Sequence, residues 1–155
     1  MSATAQNVVQ LQPSTRPSES LPRQDLLDSR GFCRIERLRY FANCYALHPQ
    51  GDWEQACRVI AVDPRASLKS HAFALLGALD AYALRPVLFY QQRAKALSEG
   101  ELWIGRLLTA VSQSDHANVQ ALLSFRLSTV AHRRVAFLAT GMLTALTFEQ
   151  NMLDP

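Results

Sequence analysis

Glycine is scarce in this 155-residue chain, six in all, and none falls in a G-x-G-x-x-G, G-x-x-x-x-G-K-S or G-x-S-x-G string. A phosphate-cradling loop or a nucleophile elbow therefore has nothing to be built from. The four histidines (His48, His71, His116, His132) form neither H-x-x-x-H nor H-E-x-x-H. After Asp80 the only carboxylates are Glu99, Glu101, Asp115, Glu149 and Asp154. No metal site, no cofactor site and no catalytic residue is expected. An enzyme remains conceivable only with a site assembled from residues distant in sequence, and it is the less favoured class.

Cysteine is also sparse. Cys33, Cys44 and Cys57 are odd in number and include no C-x-x-C pair. On one helix, Cys33 and Cys44 would share a face but stand roughly 16 Å apart, beyond disulfide reach. They read as small buried hydrophobes, and a reducing, cytoplasmic location fits them. The apolar, charge-free run Val135 to Phe148 has fourteen residues. That is short of the roughly 20 needed to cross a bilayer, so no transmembrane segment is expected. A formal charge of +3 is too mild to mark a nucleic-acid footprint by itself.

What is present is alanine, leucine and helical periodicity. A hydrophobic content of 48% suffices for one core. The expected fold is all-α, a single-domain orthogonal or irregular bundle of five or six helices spanning residues 24–151, with a buried C-terminal central helix. The Pro/Ser-rich stretch 1–23 reads as a disordered tail without a Sec signal, and 152–155 as a short C-terminal tail.

The C-terminal helix carries the most explicit pattern. Val135, Leu138, Ala139, Met142, Leu143 and Leu146 form one apolar face, and Arg133, Thr140, Thr144 and Thr147 line the other. Running this helix back without a break would place Arg134 on the apolar side, so a break near Ser128 is expected. Before it, Val119, Leu122, Leu123, Phe125, Leu127 and Val130 repeat helically. Ser98 with Glu101 forms a capping box, and Leu102, Ile104, Leu107, Leu108 and Val111 are the buried positions of the helix it opens, with Trp103 flanking. Asp63-Pro64 reads as the start of another helix, roughly 65–84, in which His71 and Asp80 are hydrogen-bonded helix residues. Val87 to Tyr90 is an apolar patch of undecided conformation.

Gly51-Asp52-Trp53-Glu54-Gln55-Ala56 followed by Asp63-Pro64 resembles the second half of a tetratricopeptide repeat. The run to proline is about one turn too short and no second copy follows at a fixed period, so the resemblance covers one hairpin. It implies a helical hairpin and no repeat array.

Two function classes follow. The first is a non-enzymatic helical adaptor, regulator or self-associating module that contacts a protein partner or a second copy through Trp53, Phe89, Tyr90 and Trp103. The second is a nucleic-acid-binding regulator. It would use the stripe Arg30, Arg34, Arg37, where Ile35, Leu38, Ala42 and Tyr45 form the adjoining buried side, together with His132-Arg133-Arg134 as anion contacts. Against it, residues 85–134 carry seven basic and three acidic side chains, and no helix with base-reading Asn, Gln and Arg is evident.

Overall fold

The computed structural model describes residues 11–12, 27–47, 52–63 and 66–153, with the side chains of 11–12 and 52–54 outside that description. Six α-helices occur among the described residues: α1 (Ser29–Leu47), α2 (Asp52–Val62), α3 (Leu68–Tyr82), α4 (Glu99–Ser112), α5 (His116–Arg126) and α6 (His132–Leu153). Two short strands, β1 (Leu11–Gln12) and β2 (Phe89–Tyr90), pair in parallel. The all-α expectation holds. The undecided patch 87–90 is extended because it runs between two helices as a strap, its backbone paired to Leu11–Gln12. The remainder of the expected tail 1–23 lies outside the described residues. At the other end α6 continues helically through Met152 and Leu153.

Helix boundaries follow local chemistry. Asp28 Oδ1 accepts from Gly31 N at 2.7 Å, capping α1, and a Cβ on Gly31 would sit only 3.0 Å from that oxygen. Helix α3 begins later than Asp63-Pro64 suggests: Ser67 is its N-cap, accepting from Ser70 N. The capping box at α4 is complete, with Glu101 N donating to Ser98 Oγ at 3.0 Å and Ser98 N to Glu101 Oε2 at 2.9 Å. The break near Ser128 is real: α5 ends at Arg126, and a 3-10 turn, Thr129–Ala131, redirects the chain into α6. Arg134 stays on the surface as a result.

Packing centres on two helices. In α3 every residue from His71 to Leu79 is buried, as a helix must be when neighbours enclose it. Helices α1, α2 and α6 pack against it, and α6 also crosses α4 and α5. Helix α6 buries Val135, Leu138, Ala139, Met142 and Leu146, the face its period dictates, while Leu143 is half-buried. At Gly141 α6 comes so near α3 that an added Cβ would lie 2.6 Å from the His71 ring. His71 Nδ1 in turn lies 3.1 Å from Ser67 O. In α5, Phe125 and the following Val130 are exposed, contrary to their periodicity, because that helix contacts mainly α4 with Val119 and Leu123. Trp103 replaces Leu102 as the deeper residue of α4, its indole donating to Leu122 O at 2.9 Å.

Candidate functional site

The most charged cluster of the interior has the look of a reaction centre and is a structural knot. Arg39 is completely buried, and all five of its N–H groups are engaged. Nε and Nη2 donate to Glu101 Oε1 and Oε2 at 2.7 and 2.8 Å, Nη1 to Glu36 Oε1 at 2.6 Å, and Nη1 and Nη2 to the carbonyls of Ala94 and Ala96 at 2.9 and 2.8 Å. Glu101 also accepts from Tyr90 N and Ser98 N, and Glu36 from Arg93 N, whose φ is 66°. Burial works against the Arg39 charge, but the hydrogen bonds and attraction of Glu101 and Glu36 outweigh it and hold its pKa above the ordinary value. Every group here fastens the strap 87–98 to α1 and α4. Arg39 announces itself only weakly in sequence, as a charge beside Ile35, Leu38 and Ala42 on the apolar side of α1.

A second buried arginine is less well satisfied. Arg126 donates from Nη2 to Pro86 O at 2.9 Å and lies over the Trp103 ring, 5.8 Å from its centroid. Its Nε and Nη1 have no hydrogen-bond partner, and Glu99 approaches Nη1 only to 3.8 Å. Desolvation lowers its pKa, opposed by Glu99 and reinforced by Arg85.

These arrangements correct the proposed contact residues. Phe89 is fully buried and Trp103 is 4% exposed, so neither can face a partner. The strap places Phe89 inward, and the indole fills the α4–α5 junction. Tyr90 is half-buried, and the Trp53 side chain lies outside the described residues. The cysteines are less buried than expected, with Cys33 exposed and Cys44 and Cys57 half-buried, because they fall beside the apolar faces of their helices. Among the anion candidates, Arg30 and Arg37 are exposed and Arg34 is half-buried, and Arg37 pairs with Glu149. Glu149 is sixteen residues after Arg133 on the same helix, so the two basic groups are separated by about 24 Å along α6 rather than merged.

A surface feature that assembles residues from separate elements is a groove of about 400 Å³ between α2 and α6. Its lining comprises Cys57, Arg58, Ile60 and Ala61 from α2 and Arg134, Phe137 and Leu138 from α6. Ile60 and Leu138 belong to the core and form its apolar floor. Arg58, Arg134 and the 64% exposed Phe137 stand at its rim. Arg134 Nη1 reaches Tyr82 Oη at 3.4 Å, which leans the guanidinium along the wall. Among the described residues the lining holds no carboxylate and no histidine, so they offer apolar contact and positive charge rather than acid–base chemistry. Sequence periodicity gives each wall separately but not their pairing across α3. A more polar cleft, lined by Asp28, Arg106, Gln113 and Asn118 among others, opens where the described chain resumes at Leu27.

No group of three or more His, Cys, Asp or Glu residues that could hold a metal ion occurs among the described residues, and no helix there is long and apolar enough to cross a membrane. No protein-family model, curated protein or solved structure matches the chain.

Proposed function

We propose that this protein is a small helical interaction module whose α2–α6 groove receives an amphipathic helical segment of a partner protein. The observation that carries the reading is the groove: an apolar floor of Ile60 and Leu138, a protruding Phe137, and guanidinium groups on both walls. An apolar trough between two helices is the ordinary seat for a helix presenting residues at i, i+3 and i+7, and its size lies within the roughly 300–1,000 Å³ of binding clefts. Arg134, whose Nη1 reaches the neutral Tyr82 hydroxyl, favours acidic residues flanking that apolar stripe, since rim charge sets the choice of partner and the encounter rate. The alternative, a nucleic-acid regulator, has less support, because Arg37 of α1 is paired with Glu149, about 24 Å along α6 from Arg133.

Two probe peptides with the same leucine stripe test this reading, one flanked by glutamates and one by lysines. The glutamate peptide is expected to shift the amide resonances of Cys57–Ala61 and Arg134–Leu138, and Arg58→Glu combined with Arg134→Glu is expected to reverse the preference between peptides. Shifts scattered over the surface, or equal binding of both peptides, would sink the reading. Salt-dependent retardation of duplex DNA or RNA that the pair Arg30→Ala and Arg34→Ala removes would favour the nucleic-acid alternative instead.

A further inference from the structure

Helix α6 turns one face to the core, and its opposite face is covered by nothing among the described residues. Along that outer face run Arg133, Phe137, Thr140, Thr144, Phe148 and Asn151, all exposed. Phe137 and Phe148 are 64% and 66% exposed, which is unusual for two phenylalanines on one helix of a small domain. The threonines between them are less polar than their name suggests. Thr140 Oγ1 donates to Ala136 O at 2.8 Å, Thr144 Oγ1 to Thr140 O at 3.1 Å, and the neighbouring Thr147 Oγ1 to Leu143 O at 2.9 Å. Each hydroxyl proton is engaged within the helix, so a neighbour can cover this face without stranding a donor.

The order aromatic, threonine, threonine, aromatic is the same read from either end. A second α6 laid antiparallel about Met142 and Leu143 therefore sets Phe137 of each copy beside Phe148 of the other, with only Thr140 and Thr144 at the crossing. Small residues at that point let the two axes approach.

Charge selects the same arrangement. Helix α6 opens with His132-Arg133-Arg134, has no acidic residue in its first turn and no basic residue in its last. The basic first turn opposes the helix dipole, which favours anions at the start, and the last turn lacks the cations that the dipole favours at the finish. In an antiparallel pair the arginines of each copy lie by the C-terminal turn of the other, whose carbonyls favour cations. One packing then relieves four mismatched helix ends, which a parallel pair or an unrelated apolar partner would not do.

We infer that the outer face of α6 is a self-association surface, on which two copies of this chain pair through antiparallel α6 helices. A single helix pair covers less than the roughly 800 Å² per partner of a standard stable complex, so the dimer forms in the micromolar range and depends on concentration. The surface is separate from the floor of the α2–α6 groove and shares Phe137 and Arg134 with its rim.

The test is sedimentation velocity of the full chain from low to high micromolar concentration, with Thr144→Glu and Phe148→Ser as variants. Both positions are exposed, so thermal melts of the variants at low concentration are expected to match the parent. The parent is expected to move from monomer to dimer with concentration, and both variants to stay monomeric. Orientation is read from Phe137→Cys and Phe148→Cys proteins in a Cys33→Ser background: a mixture of the two is expected to cross-link, and Phe148→Cys alone is not. A parent that is monomeric at all concentrations, a dimer that Thr144→Glu leaves intact, or cross-linking of Phe148→Cys with itself would each overturn the inference. Binding of the glutamate-flanked peptide by monomeric Thr144→Glu keeps the groove reading separate, since either result can fail alone.

Discussion

Arg39 and Arg126 are both buried, both reach across helices, and both lie over an aromatic ring, Phe32 for one and Trp103 for the other. They differ in what surrounds the guanidinium. Arg39 has two carboxylates and two carbonyls placed around all five N–H groups, whereas Arg126 has one carbonyl and a distant, mostly exposed Glu99. The desolvation of an ion is similar in each case, and only the first environment returns enough electrostatic energy to offset it. The comparison teaches that burial alone does not say whether a charge holds a fold together. The completeness of its partners does.

Giving both sites the same substitution breaks the comparison open. Arg39→Met leaves the buried Glu101 and the half-buried Glu36 against a thioether and releases the strap, and is expected to cost about 3–5 kcal/mol in urea unfolding. A cost below about 1 kcal/mol would show that the knot is dispensable. Leu138→Ala supplies an apolar yardstick in the same core, with an expected loss of about 2–5 kcal/mol from transfer energy and cavity. Arg126→Met is expected to change stability by less than about 1 kcal/mol in either direction, since it removes two unpartnered polar groups together with one good hydrogen bond. If Arg126→Met matched Arg39→Met, some group would have to satisfy its Nε and Nη1.

The smallest effect concerns an acid in the same predicament as Arg126. Asp80 Oδ1 is buried without a partner, and desolvation raises its pKa above 3.8. Between the ordinary and the raised value the folded chain holds more protons than the unfolded chain, so this group lowers stability as pH rises through that window. Asp80→Asn is therefore expected to melt higher than the parent at neutral pH, with the gap closing as pH falls into the ordinary aspartate range. Melting curves measured at a series of pH values would show the gap, and a gap that widened on acidification would contradict the assignment.

Much of the architecture was legible in the residues. The α6 face, the capping box of α4 and the turn at Ser128 follow from period, local hydrogen bonding and the cost of burying Arg134, all of which act within a few residues. The contact surface was less legible. Trp103 and Phe89 look like binding aromatics by type, yet the fold needs both inside. Phe137 falls by period in one band with Arg133, Thr140 and Thr144, and both it and Phe148 end up outside. Amphipathic period assigns a residue to a side of its own helix, but which sides are covered depends on how many neighbours that helix has.

The sequence by itself determined that the chain is helical, where α4 and α6 begin and break, and that α6 buries Leu138, Met142 and Leu146, because propensity, capping and periodicity are properties of short segments. Only the tertiary structure decided that Arg39 meets Glu101 across 62 positions, that Arg126 is buried with fewer partners than donors, and that α2 and α6 flank a groove over α3. These are pairings between distant segments. They are set by which apolar faces can be covered together, and no local pattern encodes that choice.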